Sequence, residues 1–158
     1  MQPLDLDLPL SVSPAMVSPT RRILEAKLGL ALDDEDAIFR VAMTAHELLE
    51  NAAKYASDGK ARLEVRVSPR EEDAIVRVVV TNNSTPDHIR QLEICYAEMK
   101  AMPDAMAHYF ALMRQNANSG AVSRLGLARV RAEGEMELDV DIQGPTVKIV
   151  ASGIVVSS

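Results

Sequence analysis

Glu47, Asn51 and Lys54 are the residues of this chain best suited to chemistry. They lie within His46–Tyr55, H-E-L-L-E-N-A-A-K-Y. There, positions i, i+4 and i+7 of a helix fall in one narrow stripe. A carboxylate in such a stripe can take a proton from water or from a serine hydroxyl when its position and pKa suit. An amide oxygen four residues on is a sound magnesium ligand, because magnesium takes hard oxygens and keeps several waters. An ammonium one turn further can neutralise a phosphate. The plain alternative is a solvated polar face with Glu50 and Lys54 as an ordinary i,i+4 ion pair, and spacing alone favours it.

Little else competes for a chemical role. His46, His88 and His108 are scattered, with no ligand-like spacing and no cysteine pair, which speaks against zinc. Cys95, the single cysteine, sits in a helical pattern and reads as a packed, inert thiol. One cysteine allows no intramolecular disulfide, and Asp5 and Asp7 stand where a secretory leader would be basic. Both features point to a reducing cytoplasm. A net charge of −6 argues against a general nucleic-acid binder. With two Phe, three Tyr and no Trp, a stacking platform for single-stranded bases is not expected either. No apolar run approaches the roughly 20 residues that span a bilayer, so no membrane role is expected.

The elements that must position the stripe follow from periodicity. The 158 residues suit one domain, 1–158. Leu4, Leu6, Leu8 and Leu10 alternate with polar residues, so 1–12 reads as an N-terminal strand, with Pro9 suggesting an edge. Ser18-Pro19 predicts a helix start and Gly29 its end, giving Pro19–Leu28. A second helix, about Glu35–Ala56, opens at Asp33-Asp34. Its apolar stripe is Ile38, Val41, Ala42, Ala45, Leu48, Leu49, Ala52 and Tyr55; the opposite stripe is Arg40, Thr44, Glu47, Asn51 and Lys54. Strands are predicted over Ala61–Val67 and Ala74–Thr81, the latter buried on both faces through Val76, Val78, Val79 and Val80.

Asp87–Asn116 is helical in pattern, with a new first turn at Pro103. Met99, Met102, Met106 and Met113 read there as irregular core filling, or alternatively as an adaptable partner-binding surface. A short helix over Ser123–Ala132 carries Arg124, Arg129 and Arg131, which read as a solvated face, with a phosphate or a partner's acidic patch as the alternative. Strands Met136–Ile142 and Thr146–Val150 close the chain, and 153–158 is expected to fray. Short turns between consecutive strands imply antiparallel hairpins. The expected fold is therefore an α+β two-layer sandwich, with a mixed, mainly antiparallel sheet of about five strands and helices on one face.

The box E-L-L-E-N-A-A-K-Y, the hairpin after it, the later S-G-A-V-S-R-L-G-L-A-R-V, and two strands carrying G-P-T-V-K-I together resemble the GHKL (histidine-kinase-like) ATPase superfamily. The resemblance runs from about residue 18 to residue 152. It is strongest to the small stand-alone anti-sigma and serine-kinase regulators, the SiaB-like group in particular. It implies a histidine-kinase-like ATPase fold in which extra helices at 86–117 replace a flexible ATP lid, with ATP and Mg2+ as ligands. Glu47 matches the general base, Asn51 the magnesium ligand and Lys54 a basic position of the same box. Leu125-Gly126-Leu127 matches the second glycine box, where a helix N-terminus meets the triphosphate, and Gly120 and Gly126 are what remains of a lid that is usually richer in glycine. Thr146 falls near the adenine pocket. The family's D-x-G-x-G after the second hairpin strand is T-N-N-S-T-P here, so Asn82 or Asn83 would have to offer an amide oxygen to adenine. The resemblance leaves two functions open. One is a signalling regulator that binds a small regulatory protein, an STAS-type antagonist or similar, with nucleotide binding weak or lost. The other is an active ATP-dependent serine/threonine kinase acting on such a partner. A homodimer is compatible with either.

Overall fold

The computed structural model describes residues 1–119 and 123–156. Its elements run β1 (Leu4–Ser11), α1 (Pro14–Ala31), α2 (Glu35–Tyr55), β2 (Lys60–Pro69), β3 (Asp73–Asn83), α3 (Pro86–Ala101), α4 (Ala105–Ser119), α5 (Ser123–Ala132), β4 (Glu137–Gln143) and β5 (Thr146–Val156). The strands form one sheet in the order β1-β2-β3-β5-β4. Among the described residues every neighbouring pair is antiparallel, where a mixed, mainly antiparallel sheet is expected from the sequence. β3 and β5 pair across the whole helical segment α3–α5, and this connection brings α5 back over α2.

Alternation sets which face is covered. Ala61, Leu63, Val65 and Val67 of β2 are buried, as are Ala74, Val76, Val78 and Val80 of β3. Val147, Ile149, Ala151 and Val155 of β5 join them under α2 in the main core. On the other face Arg62, Arg66 and Arg77 are exposed, and Arg62 and Arg66 pair with Asp7 and Asp5 of the edge strand. Val79 is the exception there, buried between its cross-strand neighbours Glu64 and Val150.

α2 forms where its signals place it. Asp34 caps it by accepting from the Asp36 amide, and Glu35 and Asp36 sit at the positive end of the helix dipole. Gly59, at φ 69°, makes the turn into β2. The break between α3 and α4 falls at 102–104, around Pro103, as the sequence predicts. A second, smaller core joins Tyr109 and Leu112 of α4 to Ala128 and Ala132 of α5.

Two expectations are corrected. α1 begins at Pro14 with Ser13 as its N-cap, so Pro19 lies inside it and Gly29 does not end it. β5 runs through Gly153 to Val156, paired with β3, so the end of the chain is ordered strand as far as it is described. Gly153 is a packing requirement: a Cβ there would lie 2.6 Å from Met136 Sδ and 3.3 Å from the Glu135 carbonyl oxygen.

Candidate functional site

The first part of the polar stripe of α2, Arg40 to Glu47, is not a solvated face, because α5 and the turn into β4 lie over it, while Lys54 at its end is exposed. Thr44 is fully buried, and its hydroxyl donates to the Arg40 carbonyl at 2.8 Å. Arg40 Nε donates to the Gly134 carbonyl at 3.1 Å. Glu47, next along the stripe, keeps only 12% of its side chain exposed and accepts from Arg129 Nη1 at 3.1 Å. Beyond Glu47 the two helices diverge and leave a cleft of about 380 Å3. Its α2 wall is Glu47, Glu50, Asn51, Lys54 and Tyr55; Tyr109 of α4, Leu125, Gly126, Leu127 and Arg129 of α5, and Glu133 just after α5 face them.

Four of the residues singled out in the sequence thus meet in one cleft: Glu47, Asn51, Lys54 and Gly126. Gly126 serves contact with Glu47 directly, since a Cβ at 126 would lie 2.6 Å from Glu47 Oε2. The expected Glu50–Lys54 pair gives way to His46 Nε2–Glu50 Oε1 at 3.2 Å, while the Lys54 ammonium lies 5.5 Å from the centre of the Tyr55 ring.

The other three described candidates lie elsewhere. Asn82 is buried, and its amide donates to the Asn83 carbonyl and to Ser84 Oγ, which in turn donates to the Tyr55 carbonyl. Thr146 Oγ1 donates to Asn83 Oδ1 at 2.9 Å. These amides and hydroxyls therefore tie the end of β3 to β5 and to the end of α2, and none of them lines the cleft. Gly120 lies outside the described residues.

Sequence reasoning missed Glu133 and Tyr109, and it named Arg129 only together with Arg124 and Arg131, as a solvated face with phosphate or a partner's acidic patch as the alternative. Arg129 Nε donates to Glu133 Oε2 at 2.8 Å while its Nη1 reaches Glu47, so one guanidinium joins α2 to α5. Its pKa lies above the ordinary arginine value. The hydrogen bond to Glu133 is the main cause, burial opposes it, and the bond to Glu47 adds to it. Burial raises the Tyr109 phenol, and the charge of Glu133 raises it further. The usable signal for Arg129 is its place three residues after Gly126, on the same side of α5.

The phosphate end of the expected ligand fits this arrangement better than the adenine end. Asn51 and Lys54 open into the cleft and could hold magnesium and phosphate, but Asn83 Oδ1 accepts from Thr146 and neither Asn82 nor Asn83 lines the cleft. Among the described residues no cluster of three or more His, Cys, Asp or Glu could hold a metal ion. No helix is long and apolar enough to cross a membrane.

Fold and cleft together define an α+β two-layer protein with one helical wall of the cleft made by α4 and α5. No family model and no curated protein matches the chain. Among solved structures, a chain of the SiaB–SiaC complex from Pseudomonas aeruginosa is similar, with TM-score 0.66 and 16% identity over 95% of this chain and 89% of that one. At that identity the likeness is one of fold.

Proposed function

We propose that this protein is a SiaB-like signalling regulator with a histidine-kinase-like ATPase fold. It acts by binding a small regulatory protein, and its cleft holds nucleotide weakly or not at all. The observation that carries this reading is the separation of the two halves of the expected nucleotide site. Glu47, Asn51, Lys54 and Gly126 share the cleft, while Asn82, Asn83 and Thr146 are hydrogen-bonded away from it. The likeness to a chain that was solved in a two-protein complex supports the partner-binding half of the reading. Fold alone does not fix function, so the cleft must decide the rest.

A second reading, an active serine/threonine kinase, is favoured by the placement of Glu47 beside Asn51 and Lys54. In it Glu47 would accept the hydroxyl proton, and the Arg129 bond would have to be released first. A thermal melt with Mg-ATP, beside Mg-GTP and AMP, separates the two. Ligand binding to the native state alone stabilises it by RT ln(1 + [L]/Kd), about 2.7 kcal/mol at a hundredfold excess over Kd. The regulator reading expects little or no shift at millimolar Mg-ATP, together with a measurable complex on titration with SiaC or a comparable small partner. A large magnesium-dependent shift specific to adenine nucleotide would replace it with the kinase reading.

A further inference from the structure

We propose that Arg129 is a two-position switch: it latches Glu47 in the state described here and becomes the principal cation for a di- or triphosphate group when one enters the cleft. This rests on the reading that the cleft binds such anions weakly. The charges lining the cleft are Glu47, Glu50 and Glu133 against Lys54 and Arg129, a net of −1. An incoming phosphate chain therefore meets repulsion unless a cation is released to it. Arg129 is suited to that exchange. Its guanidinium offers several donors in a planar fork that suits carboxylate and phosphate alike. It already shares those donors between two carboxylates, one on α2 and one just after α5, and a third of its side chain remains exposed.

Glu47 supplies the opposing force. Its Oε1 holds Nη1 of Arg129 at 3.1 Å, and its Oε2 abuts the α5 backbone at Gly126, where a side chain would collide. One movement of Arg129 toward a phosphate would thus neutralise the ligand and free the Glu47 carboxylate at the same time. The same coupling accounts for weak binding, because each phosphate contact made by Arg129 is offset by the lost contact to Glu47.

The test is calorimetric binding of inorganic pyrophosphate, ATP and adenosine, each with and without magnesium, to the wild type, Glu47→Gln, Glu133→Gln and Arg129→Gln. The unliganded melting temperature of each variant reports that it is folded. The switch expects pyrophosphate and ATP to bind Glu47→Gln more tightly than wild type, on the order of tenfold, the worth of one charge-assisted hydrogen bond. Glu133→Gln should tighten binding in the same direction, and Arg129→Gln should bind more weakly than wild type although it removes the latch. Adenosine alone should not respond to any of these changes. Equal affinity across all four proteins would overturn the switch and leave a phosphate-binding cleft standing. Tighter binding by Arg129→Gln would overturn it as well, by making Arg129 a plug and not a ligand. No phosphate binding by any of the folded proteins would remove the anion-site reading and the switch with it.

Discussion

Gly126 and Gly134 meet the same substitution with different consequences. At position 126 an added methyl would strike Glu47 Oε2, the tip of a flexible side chain, while alanine inside a helix gains roughly 1 kcal/mol over glycine. Gly126→Ala should therefore change stability by no more than about 1 kcal/mol while turning Glu47 away from its place beside Gly126. At position 134 the methyl would lie 2.5 Å from the Val130 carbonyl oxygen and 3.0 Å from Thr44 Oγ1, and that carbonyl belongs to the backbone of α5. Overpacking against groups that cannot move costs about 1–3 kcal/mol, and Gly134→Ala should lose at least the middle of that range. Urea titration of both variants checks this. Equal losses would mean that Glu47 is held as rigidly as backbone, against the mobility that its exchange with Arg129 requires.

At the scale of elements, α1 shows how two copies of one local signal are resolved by burial. Ser13-Pro14 and Ser18-Pro19 are both good helix starts. Beginning at Pro14 places Val17 in the buried stripe with Leu24, Leu28 and Ala31, which a start at Pro19 would forgo. The cost is an interior proline whose missing N–H leaves the Ala15 carbonyl without its helical partner. Pro19 is exposed, so Pro19→Ala should restore that bond without disturbing the core and stabilise the protein by about 1–3 kcal/mol. A lower denaturation midpoint in the variant would show instead that the proline's restriction of the unfolded chain outweighs the lost bond.

The same contrast explains what was legible beforehand. The order of all ten elements, the span of α5 and the whole of α2 follow from local caps and periodicity. Gly153 and the polar stripe of α2 do not. Met136 needs the space at Gly153, and α5 covers Thr44 and Glu47 from some eighty residues away. The convergence of Glu47, Asn51 and Lys54 on one stripe is legible because one helix carries all three. Its counterpart depends on tertiary packing: only the spacing of Arg129 from Gly126 hints at it locally, and nothing local points to Glu133 or Tyr109.

The described residues form two cores of unequal size, and His108 is the neighbour in sequence of Tyr109 in the smaller one. It is 3% exposed on α4, with Arg131 of α5 and Glu98 of α3 as the charges acting on it. Burial is the main cause holding its pKa below the ordinary histidine value, Arg131 lowers it further, and Glu98 opposes them. A depressed folded pKa means that the neutral imidazole favours the native state. That contribution is complete above the unfolded value near 6.5 and is lost as pH falls through the folded value. The chain as a whole pulls the other way: it carries a charge of −6 at pH 7 with an isoelectric point near 5.1, so acidification first relieves self-repulsion. Over pH 7.5 to 5, stability should therefore fall less steeply than the limit of about 1.4 kcal/mol per pH unit for one proton, and His108→Gln should remove the fall or reverse it. Hydrogen exchange locates the effect. Acid should speed exchange in α4 and α5 before the sheet, because the small cluster around Tyr109, Leu112, Ala128 and Ala132 joins those two helices. Identical pH profiles for the wild type and His108→Gln would remove His108 from the account. A match to the expected profiles would connect acidity to the cleft, since Tyr109, the next residue along α4, forms part of its wall.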